Sequence, residues 1–216
     1  IMGESGSGKT TLLNIMAALD RPTAGEVRLN GQRMGDIREK ELAAFRRKNR
    51  GFVFQDFNLL DTFSLRDNLF LPLVLSGVPY KEMESRLKPL AEKLEIQSLL
   101  DKYPYEVSGG QKQRAAAARA LITQPKLLRA DEPTGALDSR ASGKLLELFD
   151  RVNEERQTIL MVTHSVRAAA HAGRVLFSKD GEVFHQIYRG ADSLEEMDRQ
   201  VSDAMTVLTT GGERHA

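Results

Sequence analysis

Gly3-Glu4-Ser5-Gly6-Ser7-Gly8-Lys9-Thr10 decides the fold. It fits G-x-x-x-x-G-K-[ST] in full. Its glycines let the backbone wrap closely around an anion, so that successive N–H groups point at phosphate oxygens. The helix expected from Lys9 adds its positive N-terminal end. Lys9 supplies a point charge between the β- and γ-phosphates, Thr10 offers a hydroxyl to Mg²⁺, and Thr11 stands beside it. A chance Gly/Ser linker would not run straight into a helix. Here Leu12, Ile15, Met16 and Leu19 recur at helical spacing and predict one apolar face.

Outward from the loop, strands and helices alternate. Glu26 to Leu29 predicts a short strand closed by the turn pair Asn30-Gly31, and Lys40 to Lys48 a basic helix. Gly51 to Gln55 is a short apolar strand. From Asp56 to about Tyr105 the chain is Leu-rich, carries four prolines and has no β-branched run. Helices are expected there near 64–75, 81–95 and 96–102. An Ala-rich helix follows Gly109-Gly110 to about Ile122. A strand at Lys126 to Ala130, a helix at Gly143 to Glu155, a strand at Thr158 to Val162 and a short helix at Val166 to His171 come next. Two strands, Arg174 to Ser178 and Glu182 to Tyr188, flank the turn Lys179-Asp180-Gly181, and a helix opens the tail from Asp192. Alternating β and α with apolar strands implies a mainly parallel sheet covered on both faces.

Leu127-Leu128-Arg129-Ala130-Asp131-Glu132 predicts a strand ending in two acids. Beside a phosphate loop, Asp131 is placed to hold Mg²⁺ and Glu132 to position or deprotonate the attacking water. Arg129 is out of place in a strand buried on both faces, because it cannot shed its charge. Either it reaches a carboxylate or its head escapes to solvent.

Composition narrows the class. Lys and Arg total 31 against 30 Asp and Glu, a net charge of +1, which argues against a polyanion-binding surface as the main business of the chain; no nucleic acid partner is expected. The sequence has no Cys, which excludes disulfides, thiolate-ligated metals and thiol nucleophiles. The best apolar stretch, Leu69 to Val78, is broken by Pro72 and Gly77 and falls short of the roughly 20 residues of a membrane span.

With Ser108-Gly109-Gly110-Gln111 added, the order and spacing of phosphate loop, Gln55, S-G-G-Q, D-E-P-T-G-A-L-D and His164 resembles an ABC transporter ATPase subunit over nearly the whole chain. The resemblance implies a P-loop NTPase of ABC type. That fold is α/β, a mainly parallel sheet flanked by helices, with an inserted helical subdomain and a partial antiparallel β-subdomain. Residues 1–55 and 106–190 would form the RecA-like ATP-binding core, 56–105 the helical subdomain and 191–216 a C-terminal helix and tail. Gln55 then corresponds to the glutamine that touches Mg²⁺ and the water, Ser108 to Gln111 to the signature motif, Ala136-Leu137-Asp138 to the D-loop and His164 to the switch histidine at the γ-phosphate. Glu132, His164 and Gln55 would be catalytic. Gly3, Ser5, Gly6, Gly8, Lys9, Thr10 and Thr11 would hold ATP, and Ser108, Gly109, Gly110, Gln111 and Asp138 would serve nucleotide binding across a head-to-tail dimer of two copies. Thr10, Gln55 and Asp131 would hold Mg²⁺.

Finer words resemble one branch. Leu13-Asn14 with Asp20-Arg21-Pro22-Thr23-Ala24-Gly25, and Thr134 to Ser139, are similar to ATPases of the macrolide-export and lipoprotein-release type. Phe54 to Asp61, Asp101-Lys102-Tyr103-Pro104 with Val107 to Arg114, and Gly173 to Phe177 with Lys179-Asp180-Gly181 resemble the bacitracin-type antimicrobial-peptide resistance ATPases. These imply a peripheral subunit on the cytoplasmic face of the plasma membrane, working with a membrane permease and, through it, a sensor kinase. A cell-division or regulatory ABC ATPase, or a lipoprotein-release or macrolide-export ATPase, using the same hydrolysis chemistry, is the alternative. Ser178 stands where the resemblance leads one to expect an apolar residue. The resemblance also leads one to expect a segment ahead of the phosphate loop, supplying the feeding strand, partners for the Glu26 to Leu29 strand and an adenine-stacking aromatic. Residues 1–216 alone are therefore expected to be weakly active or inactive.

Overall fold

The sequence leads one to expect the strand that feeds the phosphate loop in a segment ahead of it; within the chain, the residues directly before the loop form a two-residue strand, β1 (Met2–Gly3). In the computed structural model, which describes residues 1–4 and 6–210, the chain divides into two compact units. One is Ile1–Leu12 with Met161–Ala216, the other Leu13–Leu160. The helix after the loop, α1 (Lys9–Met16), buries Leu13 and Ala17, whereas Leu12 and Leu19 are exposed. The buried face is thus not the one that spacing suggested, and the helix ends as Ala18 turns to a φ of 57°.

In the larger unit, β2 (Arg28–Leu29) and β3 (Gln32–Arg33) form a minimal antiparallel hairpin. Asn30 and Gly31 both have positive φ, as a type I′ turn requires. The strand expected at Glu26 to Leu29 is therefore shorter than predicted and pairs with the segment directly after it. Next come α2 (Glu39–Asn49), β4 (Arg50–Val53), α3 (Leu65–Val74), α4 (Tyr80–Lys93), α5 (Gly109–Leu121), β5 (Leu127–Asp131) and α6 (Ser139–Glu154). The sheet order is β4, β5, β6 (Ile159–Val162). Strands β4 and β5 run parallel, with Phe52 opposite Arg129 and Val53 opposite Ala130. Ala115 to Ala118 are all fully buried, so α5 is enclosed on every side.

The helix expected near 96–102 is only a 3₁₀ turn at Gln97–Leu99. The leucine-rich segment is closed by Asn68, which is fully buried: its amide donates to the carbonyls of Leu60, Phe63 and Ser64 and its Oδ1 accepts from Leu60 N.

In the smaller unit, β1 lies parallel to β7 (Arg174–Lys179), which pairs antiparallel with β8 (Glu182–Tyr188). Ile1 flanks the other side, its nitrogen donating to Met161 O and its carbonyl accepting from Thr163 N. The core joins Met2, Val175 and Phe177 to Ala169 and Ala170 of α7 (Val166–Ala170) and to Met197, Val201 and Leu208 of α8 (Leu194–Thr210). Residues 197, 201 and 208 recur at helical spacing, so α8 is a packed part of this unit. No described helix is long and apolar enough to cross a membrane.

Candidate functional site

In the smaller unit the phosphate loop closes around Lys9, which is 7% exposed. Its Nζ donates to Gly3 O at 3.0 Å, Glu4 O at 2.5 Å and Ser7 Oγ at 3.1 Å. Lysine carries three donors and no acceptor. The loop thus points oxygens at its ammonium, which fixes the cation at the mouth of α1. Gly6 and Gly8 have φ of +83° and +81°, which glycine adopts without cost. Gly3 is required for space: a Cβ there would lie 2.1 Å from the carbonyl oxygen of Ser178. Ser178 is buried, and its hydroxyl donates to Ser7 O at 3.0 Å. The residue that looked misplaced in the sequence is therefore a latch on the loop. Thr10 and Thr11 are exposed in the first turn of α1. Ser5 lies outside the described residues.

His164 follows β6 and is exposed. Its neighbours are fixed on both sides. Ser165 N donates to Thr163 Oγ1 at 3.0 Å, and the Ser165 hydroxyl caps α7 by accepting from Ala168 N.

In the larger unit the ends of β4 and β5 carry the other candidates. Gln55 is exposed, and its side chain lies against Gly135, where a Cβ would come within 3.0 Å of Gln55 Cδ. Asp131 ends β5 and receives Arg129 Nη2 on its Oδ2 at 3.1 Å. Arg129 thus reaches a carboxylate, which answers the question its sequence position raised. Glu132 follows at a φ of +45°, left-handed backbone that a non-glycine residue rarely adopts, and its carbonyl accepts from Gly135 N at 3.0 Å. Such strain costs of order 1–3 kcal/mol and gathers at functional sites.

The two strand ends are tied together by Gln113, which sequence reasoning did not single out. It is fully buried on α5, and its Nε2 donates to Phe54 O at 3.0 Å and Pro133 O at 2.6 Å. A polar side chain on the buried face of an alanine helix was the available signal.

Ser108 and Asp138 both cap helices. Ser108 Oγ accepts from Gln111 N at 3.4 Å while Gln111 Oε1 accepts from Ser108 N at 2.8 Å, a reciprocal capping box at the start of α5. Gly109 and Gly110 follow in its first turn. A Cβ on Gly110 would meet the Cβ of Ala141 at 2.8 Å, so α5 and α6 approach too closely there for any other residue. Asp138 Oδ1 accepts from Ala141 N at 2.8 Å and starts α6 four residues before the predicted Gly143. Both segments present a helix N-terminus, which favours an anion.

Comparison with known proteins gives one answer. A profile of the family described as ABC transporter matches residues 1–135. The chain is 50% identical over its whole length, and over 82% of the relative, to an uncharacterized ABC transporter ATP-binding protein, YvcR, of Bacillus subtilis. It is 46% identical to the bacitracin export ATP-binding protein BceA of Halalkalibacterium halodurans, over 96% of this chain and 83% of that one. A dimeric structure of the ATP-binding cassette MJ0796, in a post-hydrolysis state bound to ADP and Pi, superposes with a TM-score of 0.76 at 39% identity, covering 87% of this chain and 83% of the other.

Proposed function

This chain belongs to the ABC transporter family and is its ATP-hydrolysing subunit, and on that premise we propose that it energises a membrane permease for export of, or resistance to, antimicrobial peptides. The observation that carries the peptide branch is the 46% identity to a bacitracin export ATP-binding protein over 96% of the chain. The subunit sits peripherally on the cytoplasmic face of the plasma membrane. The resemblance extends the proposal to a sensor kinase reached through the permease.

The residue roles follow from chemistry and placement. The loop from Gly3 to Thr11, Ser5 included, cradles the phosphates, with Lys9 moving its ammonium from loop carbonyls to phosphate oxygens. Glu132 orients the attacking water and takes its proton, with Gln55 beside it and His164 at the γ-phosphate. Thr10, Gln55 and Asp131 offer only oxygen donors, the hard set that suits Mg²⁺. The chemistry that bound Mg²⁺ would supply there is neutralisation of phosphate charge. The N-termini at Ser108 to Gln111 and the Asp138 turn serve a second copy, so that each ATP lies between two chains. The MJ0796 cassette bound to ADP and Pi is itself dimeric, which supports that arrangement. We keep residues 1–55 with 106–190 as the ATP-binding core, 56–105 as the helical subdomain and 191–216 as the C-terminal helix and tail.

The permease surface is assigned to the apolar cleft of about 400 Å³ that Leu19, Phe52, Phe54, Leu71 and Leu75 line. Arg46, Arg47, Arg50 and Arg119 also border it, so the cleft suits an apolar segment carrying acidic residues. Burial pushes Arg50 down to about 10, which marks a guanidinium short of compensating charge.

Co-purification with the permease and measurement of bacitracin-stimulated ATP hydrolysis test the proposal. Hydrolysis that is indifferent to peptide in the presence of the permease would instead favour the cell-division or regulatory alternative. Leu75→Asp is expected to abolish co-purification and leave nucleotide affinity unchanged.

A further inference from the structure

β5 is a strand whose other buried members, Leu127, Leu128 and Ala130, are apolar. Arg129 sits among them at 5% exposure. Its Nη1 donates to Asn14 Oδ1 at 3.1 Å, and its guanidinium carbon lies 5.5 Å from the centre of the Phe52 ring, its register partner on β4. Its Nε is buried with no hydrogen-bond partner among the described residues. Burial pulls its pKa down, and the neighbouring Asp131 charge opposes that. Placing an arginine here is costly, and among the described residues it forms an ion pair with Asp131, 3.1 Å from Nη2.

The pairing is built into the strand. Residues two apart on a strand share a face, so Arg129 and Asp131 stand side by side without help from any loop. Asn14 and the Phe52 ring hold the guanidinium from the other side, so the cation is not free to swing away. The carboxylate proposed for the metal therefore carries a fixed counter-charge, and the pair together is formally neutral.

We propose that Arg129 is a positioning residue for Asp131: it fixes the carboxylate through Oδ2 and lowers the negative charge offered to a divalent cation, so that the metal is held chiefly by the nucleotide phosphates. This rests on the assignment of Asp131 as the metal-holding carboxylate. Removing the charge while keeping the bulk then tightens divalent-cation binding, opposite to the loss that follows when an ordinary supporting partner is deleted.

The test is Mn²⁺ binding to the full chain in complex with ADP, read by the electron paramagnetic resonance of free Mn²⁺, with thermal melting of each variant alongside. Arg129→Met is expected to bind Mn²⁺ about tenfold more tightly, within the range by which partners of metal-binding side chains act. Arg129→Gln, which keeps a hydrogen-bond donor and tolerates a polar pocket better, is expected to do the same. Arg129→Lys restores the wild-type affinity, because it retains the charge. In an Asp131→Asn background Arg129→Met changes nothing. Unchanged or weaker Mn²⁺ binding in folded Arg129→Met or Arg129→Gln overturns the proposal. If Asp131→Asn alone leaves Mn²⁺ binding intact, it is the assignment of Asp131 that fails.

Discussion

The side-chain amide of Gln113 donates to the carbonyl of Pro133 at 2.6 Å. The same nitrogen also serves Phe54 O. One buried amide therefore fixes the chain directly after Glu132 to the chain directly before Gln55. Gln113→Leu keeps the volume and leaves two carbonyls without a donor. An unsatisfied buried group costs about 1–3 kcal/mol, so denaturant unfolding of Gln113→Leu should show a loss of that order. Turnover should fall more than KM rises, because the proposed water-positioning groups lose their common tether while the phosphate loop is untouched. An unchanged kcat would show that the tether has no bearing on chemistry.

Glu132→Gln tests the proposed base with minimal change of shape. General-base catalysis contributes roughly 10²–10⁴-fold, and a loss of hydrolysis within that range is expected. Nucleotide binding should persist, and with ATP the variant should accumulate as a dimer in size-exclusion chromatography. Ordinary turnover would remove Glu132 from the mechanism.

Ser178→Val installs the apolar residue expected by resemblance and removes the latch on Ser7 O. A typical hydrogen bond contributes about 0.5–1.5 kcal/mol net, equivalent to a several-fold weakening of ADP binding when that bond orders the loop. Titration with a fluorescent ADP analogue measures it. Lower melting temperature with wild-type ADP affinity would assign Ser178 to stability alone.

Ser108→Arg places a long cation at the start of α5 and removes the cap. Substituting a capping serine costs about 0.5–2 kcal/mol, so modest destabilisation is expected. Binding of ADP to the phosphate loop should be retained, and the ATP-dependent dimer of the Glu132→Gln background should be lost. Loss of ADP binding itself would contradict the two-site arrangement.

The phosphate loop, the paired acids and the long helices were legible because each has a local signature: fixed glycine spacing, an apolar strand, or a capped run of helix formers. What failed was local in a different way. The helix expected near 81–95 ends at Lys93, closed by Glu95 at a φ of +54° with Ile96 N bonded back to Ala91 O, a closure normally announced by glycine, and only the 3₁₀ turn Gln97–Leu99 follows it. In α6, Gly143 masked a start that Asp138 had already set. Gln113 and Ser178 were hidden because their partners are backbone carbonyls distant in the chain. Arg129 was recognised as anomalous, but its resolution needed the register of β4 against β5 and the position of Asn14 on α1.

The left-handed backbone at Glu132 has a consequence for anyone improving this protein. A glycine there would relieve the strain and remove the acid in the same step. Selection for thermostability alone, with no demand for turnover, should therefore enrich Glu132→Gly among early survivors. Libraries built on this scaffold need an activity filter from the first round, since with Glu132 as the proposed base heat resistance and hydrolysis pull in opposite directions at this one position.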